Sequence, residues 1–278
     1  MIVAVTSWRG MGTTTTALLL ALAAVARGRT TWLVEADPAG GVLAGRIALP
    51  AATVGGLERR AFPGAERIDL PDVATSWHGV RLVTAPADPF RAHACHHPAA
   101  PWLDEIGSLA TRPTTTGDTH EPVVEPVVVL DVGRMRAGSP AAPLLDVADI
   151  VLLVTSPEVS AAVGASEWLA AAGRISAIDA GAAGTDLRVV VVESPGGRSF
   201  SRTLLTAEMG DRLVGWLPWE PSVVDAVHRS GRPGLRRRRT GLIAEVDTLL
   251  DALDTARAAG RSEALSARSD ASATGSAS

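Results

Sequence analysis

The stretch that decides the fold is MIVAVTSWRGMGTTTTALLLALAAVAR, Met1 to Arg27. Met1 to Thr6 is an apolar, largely β-branched run of the kind that forms a strand buried on both faces. The loop-like SWRGMGTTTT follows, and an Ala/Leu-rich segment then predicts a helix from about Thr14 to Arg27. Strand, glycine loop and helix are the frame of a phosphate-binding loop. In such a loop backbone N–H groups and a helix N-terminus surround phosphate, a lysine reaches the outer phosphates, and a Ser or Thr hydroxyl holds magnesium. Here Gly10 and Gly12 allow the tight backbone and Thr14 stands at the magnesium-ligand position. Thr13 occupies the place of the lysine.

Working outward, TTWLVEAD predicts a second strand from Thr30 to Asp37, ended by Pro38, with Gly40 and Gly41 suited to a mobile loop. Further strands are predicted at Val80 to Ala85, Val127 to Val132, Ile150 to Thr155, Leu187 to Glu193 and Arg212 to Leu217, with helical patterns between most of them. Continuous apolar strands separated by helices imply an α/β fold, a doubly wound and mostly parallel sheet with helices on both faces. Residues 111–126 read as a surface loop, and Leu242 to Leu253 as the last helix. The Ser/Ala-rich residues 261–278 read as a disordered tail behind a single domain of residues 1–260.

The chain of 278 residues is long enough to bury a core without disulfides or metals, and its single cysteine, Cys95, has no internal partner. Ala17 to Ala26, the longest apolar stretch, is far shorter than the roughly 20 residues that cross a bilayer. With no basic-then-apolar leader before the first strand, the expected location is the cytoplasm. The chain contains no Lys, Asn, Gln or Tyr, so all 26 of its basic residues are Arg. A GC-rich genome depletes Lys, Asn and Tyr whatever the fold. The chemical consequence stands all the same: no site on this chain, or on a second copy of it, has an ammonium side chain. The net charge of -4 gives no global pull toward nucleic acid.

The loop WRGMGTTT, Trp8 to Thr15, resembles the KGGVGKTT loop of the ParA/MinD family of deviant Walker ATPases. EADP resembles the family's D-x-D-P pattern, with Glu35 for the first acid and Asp37 as the switch I aspartate. VVVLD, ending at Asp131, is similar to the Walker B strand, and ADIVLLVTSPE to the strand after it. LVGWLPWEPSVVDAVHRSGRP, Leu213 to Pro233, is similar to the G-x-I-P-x-D segment that borders the base. The resemblance covers about 230 residues in order. It implies ATP or ADP with magnesium, held by Arg9, Gly10, Met11, Gly12, Thr13, Thr14 and Thr15, with Glu193, Pro218 and Trp219 on the base side. Thr14, Asp37 and Asp131 would hold the metal, and Asp37 keeps a vestigial catalytic position. A homodimer and a protein partner are implied too.

The departures concern charge. The family's signature lysine, which reaches across the dimer, is Trp8 here, and the Walker lysine is Thr13. The Asn at the end of the adenine-side strand is Glu193, and switch II begins Val132, Gly133, Arg134, Met135. Phosphoryl transfer depends on positioning and charge stabilisation, so these losses predict slow or absent hydrolysis. The leading expectation is a degenerate scaffold that positions or regulates a cellular assembly of the partition, septum or pilus-secretion type. Its rivals are a slow ATPase served by Arg9, Arg134, Arg136 or a partner's arginine, and a non-specific DNA-binding module. For Asp37 and Asp131 the alternative to a metal site is a pair of turn acids inherited on a scaffold.

Smaller features read more plainly. His93, Cys95, His96 and His97 lack the paired spacings of zinc sites and read as a surface loop or helix start. Trp32, Trp168 and Trp216 read as core, while Trp219 suits either stacking or packing. The last helix, with Glu245, Asp247, Asp251 and Asp254, is too acidic for the basic membrane helix of MinD. Arg236, Arg237, Arg238 and Arg239 read either as solvated surface or as a DNA contact. A DNA contact predicts retention that falls steeply with salt, and a four-Ala variant whose salt dependence in gel-shift titrations is flatter by up to about four phosphate contacts. Equal binding by both proteins, or none by either, marks the run as solvated surface.

Overall fold

The computed structural model describes residues 1–62, 68–97, 100–111, 125–178, 185–196, 199–232 and 241–275. Arg236 to Arg239 and residues 112–124 of the expected surface loop lie outside these. In chain order the elements are β1 (Ile2–Ser7), α1 (Thr13–Ala26), β2 (Thr31–Glu35), α2 (Leu43–Arg46), α3 (Gly56–Ala61), α4 (Leu70–Val73), β3 (Thr75–Trp77) and β4 (Val80–Val83). They continue with α5 (Pro89–Ala94), α6 (Trp102–Thr111), β5 (Val127–Arg134), α7 (Pro143–Asp146), β6 (Ile150–Thr155) and α8 (Val159–Ile178). The chain then runs through β7 (Asp186–Val192), α9 (Arg202–Met209), β8 (Leu213–Leu217), α10 (Pro221–Ser230) and α11 (Gly241–Gly275).

The eight strands form one sheet in the order β3-β4-β2-β5-β1-β6-β7-β8. Every pairing is parallel except β3 with β4. Side chains alternate across the sheet, so Val3, Val5, Val127 and Val129 face the layer of α1, α10 and α11. Ile2, Ala4, Val128 and Leu130 face the opposite layer, where Leu57, Leu70, Trp102 and Leu144 pack. Burial on both faces is why these strands read as unbroken apolar runs. α1 is likewise apolar nearly all round, because Leu18, Leu19 and Leu20 are all buried between the sheet and α11. Among the described residues no helix is long and apolar enough to cross a membrane.

The structure departs from the sequence reading in four places. β3 was not expected. Its three residues are too few to show a period, but His78 and Gly79, at φ 47° and 87°, form the two-residue turn that closes an antiparallel hairpin. Gly40 and Gly41 are not there for mobility. A Cβ on Gly40 would fall 2.6 Å from the Ala87 carbonyl oxygen, and one on Gly41 would fall 2.5 Å from that of Ala85, so the glycines permit close packing of two segments.

The His/Cys cluster is not a surface loop throughout. Cys95 and His96 are buried, Trp102 Nε1 donates to the Cys95 carbonyl (2.8 Å), and the His96 ring stands edge-on to Trp102. Burial lowers the His96 pKa to about 4. Finally, α11 runs to Gly275 where a tail without structure is expected from 261. Residues 261–274 contain neither Gly nor Pro and are rich in Ala, the best helix former.

α11 is held from two sides. Leu242, Val246, Leu249, Leu250, Leu253 and Ala256 bury one stripe against β8 and α1. The acids on its flank, which set it apart from a basic membrane helix, pair instead with the end of α1: Asp251 with Arg27 (2.5 Å) and Asp254 with Arg29 (2.8 Å). Such half-exposed pairs contribute little individually, so the apolar stripe dominates. Leu249→Ala, which opens a cavity over Gly215, is expected to destabilise the fold by about 2–5 kcal/mol in denaturant titration followed by circular dichroism. Thr248→Ala on the exposed face is expected to change it by about 0.5 kcal/mol or less.

Candidate functional site

Register places the acids. In the sheet Asp131 pairs with Val5 of β1 on one side and with Glu35 of β2 on the other, so the carboxyl ends of three adjacent strands finish level. Ligands of open parallel sheets bind beyond these ends. Between Val5 and Thr6 the register slips, Thr6 pairing with Gly133, and the Thr6 hydroxyl donates to the Gly133 carbonyl (3.0 Å). Gly133, at φ 66°, admits no side chain, because a Cβ there would fall 2.1 Å from the Asp37 carboxyl carbon. Asp37 thus lies across the end of β5.

The three carboxyls differ in their state. Glu35 is buried and fully engaged: Oε1 accepts the amides of Val42 (2.6 Å) and Leu43 (2.7 Å), and Oε2 that of Ala85 (3.1 Å). Burial raises its pKa against the pull of those bonds. Asp131, only 1% exposed, is pushed up to about 7 by burial and then by Glu35, with the Thr14 hydroxyl acting in the opposite direction. Its Oδ1 accepts the Gly133 amide (3.3 Å), while Oδ2 has no hydrogen-bond partner among the described residues. Burial also raises Asp37, whereas the Ala39 amide and the Arg134 charge lower it. A buried carboxyl that interacts with the Thr14 hydroxyl and keeps one oxygen without a hydrogen-bond partner among the described residues fits a divalent cation. Among the described residues no three His, Cys, Asp or Glu side chains converge as a metal cage. Thr14 and Asp131, with Asp37 beyond them, are the residues that would hold such an ion, its remaining ligands coming from outside the protein.

The loop closes on itself at the lysine position. Ser7 Oγ accepts from the Gly10 amide (2.8 Å) and from the Thr13 hydroxyl (2.8 Å). Thr13 is only 4% exposed, so the side chain standing for the lysine points inward and not toward a ligand. Gly10 and Gly12, at φ 72° and 90°, make the turn into α1. The first turn of α1 keeps its outward amides, since the earliest intrahelical bond runs from Thr16 N–H to the Gly12 carbonyl. Met11 packs against the α1 side of the core. Arg134 lies over the loop from the end of β5. Its Nη2 donates to the Arg9 carbonyl (3.4 Å) and would meet a Cβ on Gly10 at 3.0 Å.

The other sequence-predicted residues divide into those that reach the site and those that do not. Gly12, Thr15, Pro218 and Trp219 line one cavity of about 400 Å³, together with Arg46 and His228. Trp219 is half exposed at its rim. Glu193 supports that wall from behind, accepting from Trp216 Nε1 (2.7 Å) and the Trp219 amide (3.3 Å). Arg9 leaves the loop: its Nη1 donates to Ser160 Oγ (3.1 Å), which in turn donates to Glu158. Trp8 also turns away, onto Gly164 of α8, where a Cβ would fall 2.5 Å from its Nε1. Trp32 is buried, and Trp168 and Trp216 are partly buried. Sequence reasoning missed Ser7, Arg46 and His228. Only Ser7, at the mouth of the loop, carried a positional signal.

A parallel sheet with a glycine turn feeding the helix after β1, and an acid ending the adjacent β5, defines a P-loop nucleotide-binding fold. More narrowly, it is the fold of the MinD/ParA ATPases. The chain is similar to the cell division ATPase MinD of Pyrococcus furiosus, with a TM-score of 0.65 and 15% identity over 91% of this chain and 98% of that one. It is similar to the septum site-determining protein MinD of Pyrococcus horikoshii complexed with Mg-ADP, with a TM-score of 0.64 and 15% identity over 91% and 95% of the two chains. A plasmid partition protein of Borrelia burgdorferi follows at a TM-score of 0.59 and 10% identity, over 92% and 98%. No protein-family model and no curated protein matches the chain. At these identities the likeness is one of fold.

The raised pKa of Asp131 has a signed consequence. A carboxyl that holds its proton more tightly folded than unfolded favours the fold at low pH, and that contribution is lost as pH climbs from the ordinary 3.8 to about 7. Asp131→Asn removes the charge and also relieves Glu35 and Asp37. In metal-free buffer the variant is therefore expected to exceed the parent in stability by on the order of a few kcal/mol at about pH 8, and to converge with it near pH 4. Thermal melts across that range check this.

Proposed function

We propose that this chain is a nucleotide-binding scaffold of the MinD/ParA type, which binds ATP or ADP with magnesium, turns it over slowly or not at all, and positions or regulates a cellular assembly through protein partners. The observation that carries the reading is the buried Thr13 hydroxyl bonded to Ser7 where a lysine would meet the outer phosphates. The rest of the frame is kept: the glycine turn, the open first turn of α1, the Thr14–Asp131 pair and the cavity at Trp219. No lysine exists anywhere on the chain, so a homodimer supplies none either. Trp8, at the position from which the family reaches across its dimer, is packed on its own α8. A slow ATPase served by Arg9 gains no support, because Arg9 is drawn to Ser160; Arg134 is the guanidinium over the loop.

Proteins of this fold named for cell division, septum-site determination and plasmid partition support the assembly-positioning part. A cytoplasmic location and one folded domain over residues 1–260, past which α11 continues, belong to the same proposal. Calorimetric titration with ATP and ADP in magnesium, beside a turnover assay, tests it. The expected result is binding with hydrolysis at or below the slow end of the family. Magnesium-dependent turnover at ordinary P-loop rates, abolished by Asp37→Ala, would overturn the scaffold reading, and absence of binding would overturn the nucleotide reading. Thr13→Lys is expected to lose about 1 kcal/mol with the Ser7 hydrogen bond and to gain ATP affinity. No gain would mean that the loop is closed to outer phosphates by more than missing charge.

A further inference from the structure

Arg46 is the last residue of α2, and neither the loop motif nor the acid pattern marks it. Its Nη1 lies 3.4 Å from Thr15 Oγ1, at the edge of the cavity that continues to Pro218 and Trp219. Among the described residues no carboxylate is within ion-pair distance of its guanidinium. His228 lines the same cavity, with Nε2 enclosed and without a hydrogen-bond partner among the described residues. Burial, then the nearby Arg46, lowers the His228 pKa against the pull of Asp225, and this favours the neutral ring, which can both donate and accept. Among the described residues the cavity therefore joins the first turn of α1, a guanidinium in no ion pair and an unpartnered ring nitrogen, with Glu220 and Asp225 also on its wall.

We propose that Arg46 reads the sugar-linked phosphate of a bound nucleotide, supplying from α2 the positive charge that the loop lacks. This rests on the nucleotide reading above. A base held at Trp219 and Pro218 puts its sugar in the cavity. The first phosphate then falls on the cavity side of α1, at Thr15, and later phosphates extend across the glycine turn toward Gly10. Arg46 stands at the first of these places and Arg134 at the second, so the two arginines contact different phosphates. Arg46 is also held in place: the Glu35 carboxylate binds the amides of Val42 and Leu43 and so fixes the start of α2.

The test is a calorimetric series with adenosine, AMP, ADP and ATP in magnesium, on the parent, Arg46→Ala, Arg46→Lys and Arg134→Ala. Arg46→Ala is expected to leave adenosine binding unchanged and to weaken AMP, ADP and ATP alike, by roughly 10- to 100-fold. Arg46→Lys should recover part of that loss. Arg134→Ala should leave AMP as in the parent and weaken ADP and ATP. The Arg46 side chain is exposed, so an unchanged melting temperature is expected to accompany the loss. AMP binding by Arg46→Ala equal to the parent's would overturn the assignment, as would an equal loss for adenosine, which would make Arg46 a base contact. A parent that binds none of the four overturns the nucleotide reading and this proposal with it. A parent that binds while Arg46→Ala binds equally overturns this proposal alone.

Discussion

The site depends on a register. Because β5 pairs with β1 and β2 so that Asp131 faces Val5 on one side and Glu35 on the other, the ends of three parallel strands finish together. Any slip by one residue would exchange the two faces of a strand and put valines of the core onto the wrong layer. The register is thus enforced by burial on both faces of the sheet, and the acids are carried to its edge as a consequence. Their proximity then creates the electrostatic condition of the site. Asp131 is desolvated, lies near two other carboxyls and keeps an oxygen without a partner. Nothing in the apolar core offsets this. Such a group is stabilised by a proton or by a cation from outside.

The loop meets that negative charge without any ammonium side chain and is braced from within. Ser7 takes the Gly10 amide and the Thr13 hydroxyl together, a double acceptor at the base of the turn. The Gly10 amide is one of the donors that would otherwise surround phosphate. The chain has exchanged part of its anion-binding capacity for a loop braced by its own side chains. Trp8 adds apolar packing on α8 to the same effect. This bracing is what the proposed scaffold reading draws on, since phosphoryl transfer depends on charge placed at the outer phosphates.

Most of the sheet was legible because parallel strands buried on both faces leave unbroken apolar runs, and Ile150 to Thr155 has the same limits in the sequence and in the structure. β3 was not, since a three-residue edge strand is defined by its partner and its turn, not by composition. Thr14, Asp131, Pro218 and Trp219 could be placed from motif order, because strand ends and helix starts fix where such residues go. Arg9 could not. Its backbone is in the loop, but its side chain follows a hydrogen bond to Ser160 that is 151 residues away in sequence. Arg46 and His228 were invisible for the same reason, since α2 and α10 meet at Thr15 only through the folded chain. Gly41 was read for its freedom, when its use is closeness: it lets Glu35 and the Ala85 carbonyl approach the turn before α2.

Where the positive charge resides changes what a ligand could do to the protein. A lysine inside the loop brings its charge to phosphate with little movement elsewhere. Here the guanidinium over the glycine turn belongs to the end of β5, and the one at Thr15 belongs to α2, which follows β2. Arg keeps its charge at any physiological pH and bonds phosphate through a planar fork, so a contact made by either residue also fixes the orientation of the segment that bears it. On the proposed reading, phosphate held at either arginine would hold the segment that bears it against the site. Val42, at the start of α2, is exposed. Differential contact of this kind lets a nucleotide select one arrangement of a surface over another without being consumed. On the proposed reading, a chain without ammonium side chains would report occupancy of the site to partners through arginines placed outside the loop, without need of hydrolysis.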